Sequence, residues 1–318
     1  MIQIDLITGF LGAGKTTFIK RYVRHLCARG LKVGIIENDF GAINVDMMLL
    51  QESEGDLCEI EMVVGGGDLE THKRRYRTKL ISMAMRGFDR VIIEPSGVYD
   101  VDEFFDVLYE DPVAGWYEVG TVIAIVDAKL PPDLSDDADY LLMSQIADAG
   151  AVVLSHAQEA TDEDITATLN HINASLEKFK CKRVIMDKDV IRKDWNELTS
   201  GDMDDLMKRG YLASDYLKRP VMERNAFASL YYMNTRLSKD EALERAQAVL
   251  KDETCGHVMR VKGFVEEDGV WYELNVNHED AHMGPIDEGQ DVIIVIGEYM
   301  DKDKIDAYFH VSGQIKSS

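Results

Sequence analysis

Gly9-Phe10-Leu11-Gly12-Ala13-Gly14-Lys15-Thr16 is the stretch on which the fold turns. It fits G-x-x-x-x-G-K-[ST] in full, between an apolar run at 2–8 and an amphipathic helical pattern. Glycines let backbone N–H groups wrap phosphates without side-chain clash. A helix starting just beyond turns the positive end of its dipole on the same point. The motif predicts that backbone groups of Gly9, Gly12, Ala13, Gly14, Lys15, Thr16 and Thr17 cradle a triphosphate. The Lys15 ammonium then neutralises the β and γ phosphates, and the Thr16 hydroxyl reaches Mg²⁺.

Outward from this loop, Phe18, Ile19, Tyr22, Val23 and Leu26 share one helical face, and Gly30 stands where a C-cap is wanted. Runs at 33–37, 90–94, 121–126, 151–154 and 183–186 are short and mostly apolar throughout. That pattern suits strands covered on both faces, as in a parallel sheet with helical crossovers. An α/β P-loop NTPase domain is therefore expected over 1–216. Beyond a linker around 217–225 the pattern changes to strands at 227–234, 257–265, 270–276 and 291–297, with helices at 239–251 and 302–309. Asp268-Gly269 supplies the positive φ values of a tight hairpin turn. A small α+β domain is expected over 226–318.

The 318 residues suit two domains, and a composition of 46% hydrophobic and 29% charged residues is that of a folded chain. No stretch approaches the ~20 apolar residues that span a bilayer. The first residues enter a strand pattern without a basic segment or cleavage site, so the expected location is cytoplasmic. A net charge of −23 disfavours nucleic acid and anionic membranes as partners and is compatible with cations. Solubility alone would explain it equally. The four cysteines, Cys27, Cys58, Cys181 and Cys255, are too scattered for a disulfide scaffold or a zinc ribbon. Cys27 lies in a helical pattern and reads as core.

Two further segments belong with the loop. Asp39 and Asp46 follow the second strand, where a loop reaches back over the phosphates. Glu94-Pro95-Ser96-Gly97 ends the strand at 90–94. In open α/β sheets such carboxyl ends form the ligand crevice. Glu94 is expected to hold Mg²⁺ or its water and to act in catalysis, with Asp39 and Asp46 as further metal residues, and the Gly97 N–H to sense a γ-phosphate. Each segment alone reads equally well as an ordinary polar loop.

In order, these strings resemble the CobW-type P-loop GTPases, relatives of the urease and hydrogenase maturation GTPases. Thr8 to Thr17 looks like the family's P-loop, Asn38-Asp39-Phe40-Gly41 like its N-E-F-G, and Glu94-Pro95-Ser96-Gly97 like its E-x-S-G. Val126-Asp127-Ala128 and Arg260-Val261-Lys262-Gly263-Phe264 resemble later signatures, so the likeness covers nearly the whole chain. It implies Mg²⁺-dependent GTP hydrolysis and a chaperone role toward a client metalloprotein or cofactor-dependent enzyme, and it allows a homodimer.

Two departures qualify it. The family's G-C-x-C-C thiolates bind a transferred metal, whereas the corresponding stretch here is Gly65-Gly66-Gly67-Asp68-Leu69. Thiolate ligation there is excluded, leaving Asp68, Glu70 and His72, a harder oxygen and nitrogen donor set that reads first as solvated helix-start residues. The family reads guanine with N-K-x-D, whereas Ser155-His156-Ala157-Gln158 stands here. Ser155, His156 and Gln158 are then the base-facing residues, with no carboxylate at the guanine-reading position. Glu159 is the nearest substitute, and ATP stays open beside GTP.

His278 and His282 carry H-E-x-x-H order in a segment that reads as loop, where that zinc pattern needs a helix. Lys73-Arg74-Arg75-Tyr76-Arg77 reads as a solvated helix face, and Met47-Met48-Leu49-Leu50 as core or a partner face beside the presumed switch. The alternatives to a chaperone are a nucleotide-binding regulatory module with little turnover and, last, a small-molecule kinase.

Overall fold

The computed structural model describes residues 1–39, 55, 57–64, 69–97, 101–219, 227–278 and 280–310. The chain divides into two compact units, Met1–Arg219 and Pro220–Ser318.

In the first unit, β1 (Ile2–Gly9) leads through the glycine loop into α1 (Lys15–Ala28). There follow β2 (Val33–Asp39), β3 (Cys58–Val64), α2 (Leu69–Ala84), β4 (Arg90–Pro95), α3 (Asp102–Leu108) and β5 (Tyr117–Asp127). The unit continues with α4 (Asp136–Ala147), β6 (Ala151–Ser155), α5 (Asp162–Lys178), β7 (Val190–Ile191) and α6 (Ser200–Leu206). The strands form one sheet in the order β3-β2-β4-β1-β5-β6-β7, every pairing parallel. The expected α/β architecture is thus present. Apolar side chains of the central strands meet the α1 face: Ile7, Ile35, Ile92, Ile123 and Val153 pack with Phe18, Ile19, Tyr22, Val23 and Leu26. Each such buried side chain contributes about 1.5–3 kcal/mol. Gly30, at φ +79°, closes α1 with bonds from its N–H to Cys27 O (2.8 Å) and from Leu31 N–H to Leu26 O (3.2 Å). This double bond pattern is a Schellman stop.

A buried polar knot fixes β1. Asp5 is 0% exposed and accepts from Tyr22 Oη (2.9 Å) and the Thr121 N–H (2.9 Å), with Arg90 Nε 2.7 Å away. Burial pushes its pKa up to about 6, against the opposing pull of Arg90. The knot ties α1, β4 and β5 to the strand that carries the phosphate loop.

The structure departs from the sequence reading in several places. Residues 183–186 are not a strand. Their polar groups are met by side-chain bonds instead: Asn173 Oδ1 accepts from the Ile185 N–H, and Asn173 Nδ2 donates to Ile185 O. Arg183 Nη1 donates to the carbonyls of Ile146 and Ala147 at the end of α4. The sheet edge is built by Val190–Ile191, and β3 forms the opposite edge, paired with β2. Cys27 is only partly buried, on the margin of the core. His72 is not solvated: it is 1% exposed on the inner side of α2, and Tyr76 in the basic run is fully buried. Lys73 and Arg77 pair with Asp106 and Glu110.

The second unit contains β8 (Phe227–Met233), α7 (Lys239–Lys251), β9 (His257–Glu267), β10 (Val270–Asn277), β11 (Ala281–Ile286), β12 (Val292–Glu298) and α8 (Lys302–Phe309). Its sheet is antiparallel, in the order β11-β10-β9-β12-β8. Asp268 (φ +52°) and Gly269 (φ +78°) make the two-residue turn between β9 and β10. Ser238 and Glu241 form a capping box on α7. The sequence reading took 277–282 as loop, whereas the chain turns there into β11, with Asn275 opposite His282. His278 Nε2 lies 2.7 Å from Val258 O. The two histidines thus flank a hairpin turn and do not share a helix face. Among the described residues, no group of three His, Cys, Asp or Glu is arranged to hold a metal.

Candidate phosphate-binding site

The loop between β1 and α1 has the backbone of an anion cradle. Gly12 (φ +79°) and Gly14 (φ +88°) take left-handed conformations that turn successive N–H groups inward. Gly9, at φ +150°, lies against β5: a Cβ there would come 2.3 Å from Ile125 O. Gly14 is the N-cap of α1 and has no side chain with which to satisfy the helix's first N–H groups. These donors suit an anion. Lys15 is 9% exposed, and its Nζ donates to Gly9 O at 2.9 Å, closing the loop on itself.

Sheet order brings distant residues to this loop. β4 is the neighbour of β1, so Glu94 at its end stands beside the start of α1. Thr16 Oγ1 donates to Glu94 Oε1 at 2.6 Å, and Glu94 is 3% exposed. Glu37 on β2 is in register with Glu94 and 2% exposed, placing a second buried carboxylate one strand away. The sequence reading passed over Glu37, although it immediately precedes the quoted Asn38-Asp39. A hydroxyl and a buried carboxylate in contact offer the hard oxygen donors that Mg²⁺ prefers. The side chain of Asp39 and all of Asp46 lie outside the described residues, as do 40–50 and 65–68.

Gly97 presses on the loop directly: a Cβ there would come 2.9 Å from Leu11 N and Cα. Gln145, 1% exposed on α4, donates from Nε2 to Gly97 O at 3.0 Å. Its structural part is to hold the carbonyl of the segment that follows Glu94.

On the other side of β1, β5 and β6 end at Asp127 and Ser155. Ser155 is 2% exposed, and its hydroxyl donates to Val126 O at 3.4 Å. His156, at φ +51°, sets its Nδ1 2.8 Å from Asp127 Oδ2. Gln158 is exposed and donates to the neighbouring Glu159 Oε1 at 3.3 Å.

This chain is similar to proteins of a known family. The model of the CobW/HypB/UreG nucleotide-binding domain matches residues 3–186. The chain is 29% identical over 164 residues to the zinc chaperone YeiR of Escherichia coli (strain K12), covering 51% of this chain and 49% of that protein. It is 29% identical over 182 residues to the zinc chaperone YjiA of the same strain, covering 54% and 55%. The chain thus spans about half the length of these relatives. The crystal structure of Zn(II)-bound YjiA GTPase from E. coli aligns over 97% of this chain and 98% of that one, at 18% identity and a TM-score of 0.37. The family model matches more than half of the chain, over the segment that carries the glycine loop, Lys15, Thr16 and Glu94, and the chain belongs to the CobW/HypB/UreG family.

Proposed function

We propose that this chain is a Mg²⁺-dependent nucleoside triphosphatase, with GTP as its first substrate, that drives a cytoplasmic chaperone cycle. Its client would be a protein requiring a metal or a metal cofactor. The observation that carries the reading is the contact of Thr16 with the buried Glu94 beside the glycine loop. Thr16 and Glu94 would hold Mg²⁺, which neutralises charge on the β and γ phosphate oxygens when bound. Asp39 and Asp46 are proposed to complete the shell. Lys15 exchanges its bond to Gly9 O for the β and γ phosphates, where it stabilises charge that develops as water attacks the γ-phosphorus. The N–H groups of Gly12 to Thr17 orient the phosphate chain. The Gly97 N–H, held through Gln145, reads the γ-phosphate. The chaperone part rests on family membership and on relatives named zinc chaperones. This chain has Gly65-Gly66-Gly67 where thiolates would carry zinc, so its client need not share that cargo.

The test is calorimetric binding of GTP and ATP with Mg²⁺, followed by phosphate release with and without EDTA. Release that ignores EDTA would refute the metal assignment. A second reading, a nucleotide-binding regulatory module with little turnover and open to ATP, is favoured by the missing carboxylate in Ser155-His156-Ala157-Gln158. Tight binding with phosphate release near the spontaneous rate would select it.

A further inference from the structure

Trp195 lies in the turn after β7, outside every motif of the sequence, yet the fold brings it to the phosphate loop. A Cβ on Gly14 would meet Trp195 Cη2 at 3.0 Å and Ser155 Cβ at 3.8 Å. The six-membered edge of the indole therefore rests on the glycine that opens α1, next to the end of β6. Trp195 is held at three points, two on its ring and one on its backbone. Its Nε1 donates to Leu154 O at 2.9 Å. Phe18 meets it edge-on, with centroids 5.6 Å apart. Arg21 Nη1 donates to Trp195 O at 3.1 Å. Trp195 is nonetheless only partly buried.

Sheet order says which end of a nucleotide this indole would meet. Glu94, beside Thr16, lies on the β4 side of β1 and marks the γ-phosphate and metal end. A nucleotide lying across the crevice must then extend its nucleoside over β5, β6 and β7, where Ser155, His156 and Trp195 stand. The polar edge of the indole is already bonded to Leu154 O. What remains is an apolar aromatic surface, and every nucleobase has a π-face that packs on such a surface.

We propose that Trp195 is the aromatic wall of the nucleoside pocket, holding the base by packing that tolerates guanine and adenine alike. This rests on the phosphate-site reading above. It supplies a physical source of base affinity where the guanine-reading carboxylate is missing.

The experiment compares Mg-GTP, Mg-ATP and Mg-tripolyphosphate by calorimetry on wild type, Trp195→Phe and Trp195→Leu. Tripolyphosphate carries the phosphate chain without a nucleoside. The expected result is that Trp195→Leu weakens both nucleotides by about tenfold, leaves tripolyphosphate unchanged, and is largely rescued in Trp195→Phe. An equal loss for all three ligands would make Trp195 a prop of the glycine loop and overturn the proposal, as would no loss at all. Failure of wild type to bind any of the three would instead refute the phosphate site itself. A second measurement needs no change at Trp195. With Trp116→Phe and Trp271→Phe, Trp195 is the one tryptophan left of three. Mg-GDP should quench its emission and tripolyphosphate should not. Emission indifferent to Mg-GDP would also overturn the proposal.

Discussion

At the phosphate end of the site, Lys15 and Glu94 are 9% and 3% exposed and hydrogen-bonded within it. Among the residues proposed to face the base, the His156 side chain is 48% exposed, and Gln158 bonds only its chain neighbour in the bonds described. Lys15 bonds a backbone carbonyl and Glu94 a hydroxyl, and a buried charge is costly unless such partners or a ligand compensate it. Exposed groups in water lose little when a partner is removed. The two ends should therefore respond to substitution on different scales.

The largest expected effect is at the phosphate end. Lys15→Ala should lower kcat/KM for phosphate release by on the order of 10²–10³-fold, because its ammonium meets charge that develops at the γ-phosphate. Turnover close to wild type would erase the contrast between the ends. Next, Glu94→Gln keeps the size and hydrogen-bonding capacity of the side chain and removes its charge. The Mg²⁺ concentration giving half-maximal phosphate release should rise by roughly 10–100-fold. An unmoved Mg²⁺ titration would transfer the metal role to other carboxylates, Glu37 first.

At the nucleoside end the scale falls. A carboxylate accepting two guanine donors discriminates strongly, whereas neutral hydrogen bonds discriminate weakly and aromatic packing holds either base. GTP should be preferred over ATP by on the order of tenfold, or ~1–2 kcal/mol, in competition binding. A preference on the order of a thousandfold, or ~4 kcal/mol, would reveal an acidic residue in the missing role. The smallest effect sharpens that point: Glu159→Gln should leave the GTP:ATP ratio unchanged, since the Glu159 side chain is exposed and accepts only from the exposed amide of Gln158 in the bonds of the described residues. A collapse of the ratio in Glu159→Gln would show that this side chain reads guanine after all.

What was legible in the sequence follows the same division. The glycine loop, α1 with its Gly30 stop, the Asp268-Gly269 turn and the helix Lys302–Phe309 were all readable in place. Strand ends shifted by a residue or more, since pairing partners and not local pattern decide where a ladder stops. The short edge strand Val190–Ile191 carried no pattern long enough to read, and 183–186 imitated a strand because its apolar residues pack without ladder bonds. β11 was hidden by an HEDAH stretch that imitates a metal motif, and its partner β10 supplies the ladder that makes it a strand.

The sequence by itself determined the glycine loop proposed to cradle phosphate, because N–H direction, glycine conformation and helix start are set within a few residues of one another. Tertiary structure alone decided that Thr16 meets Glu94 across 78 residues, that Gly97 presses on Leu11, that Glu37 stands in register with Glu94, and that Trp195 covers Gly14. Those contacts depend on which strands lie next to β1 in the sheet. Strand order follows from the packing of whole crossovers, and no local spacing along the chain encodes it.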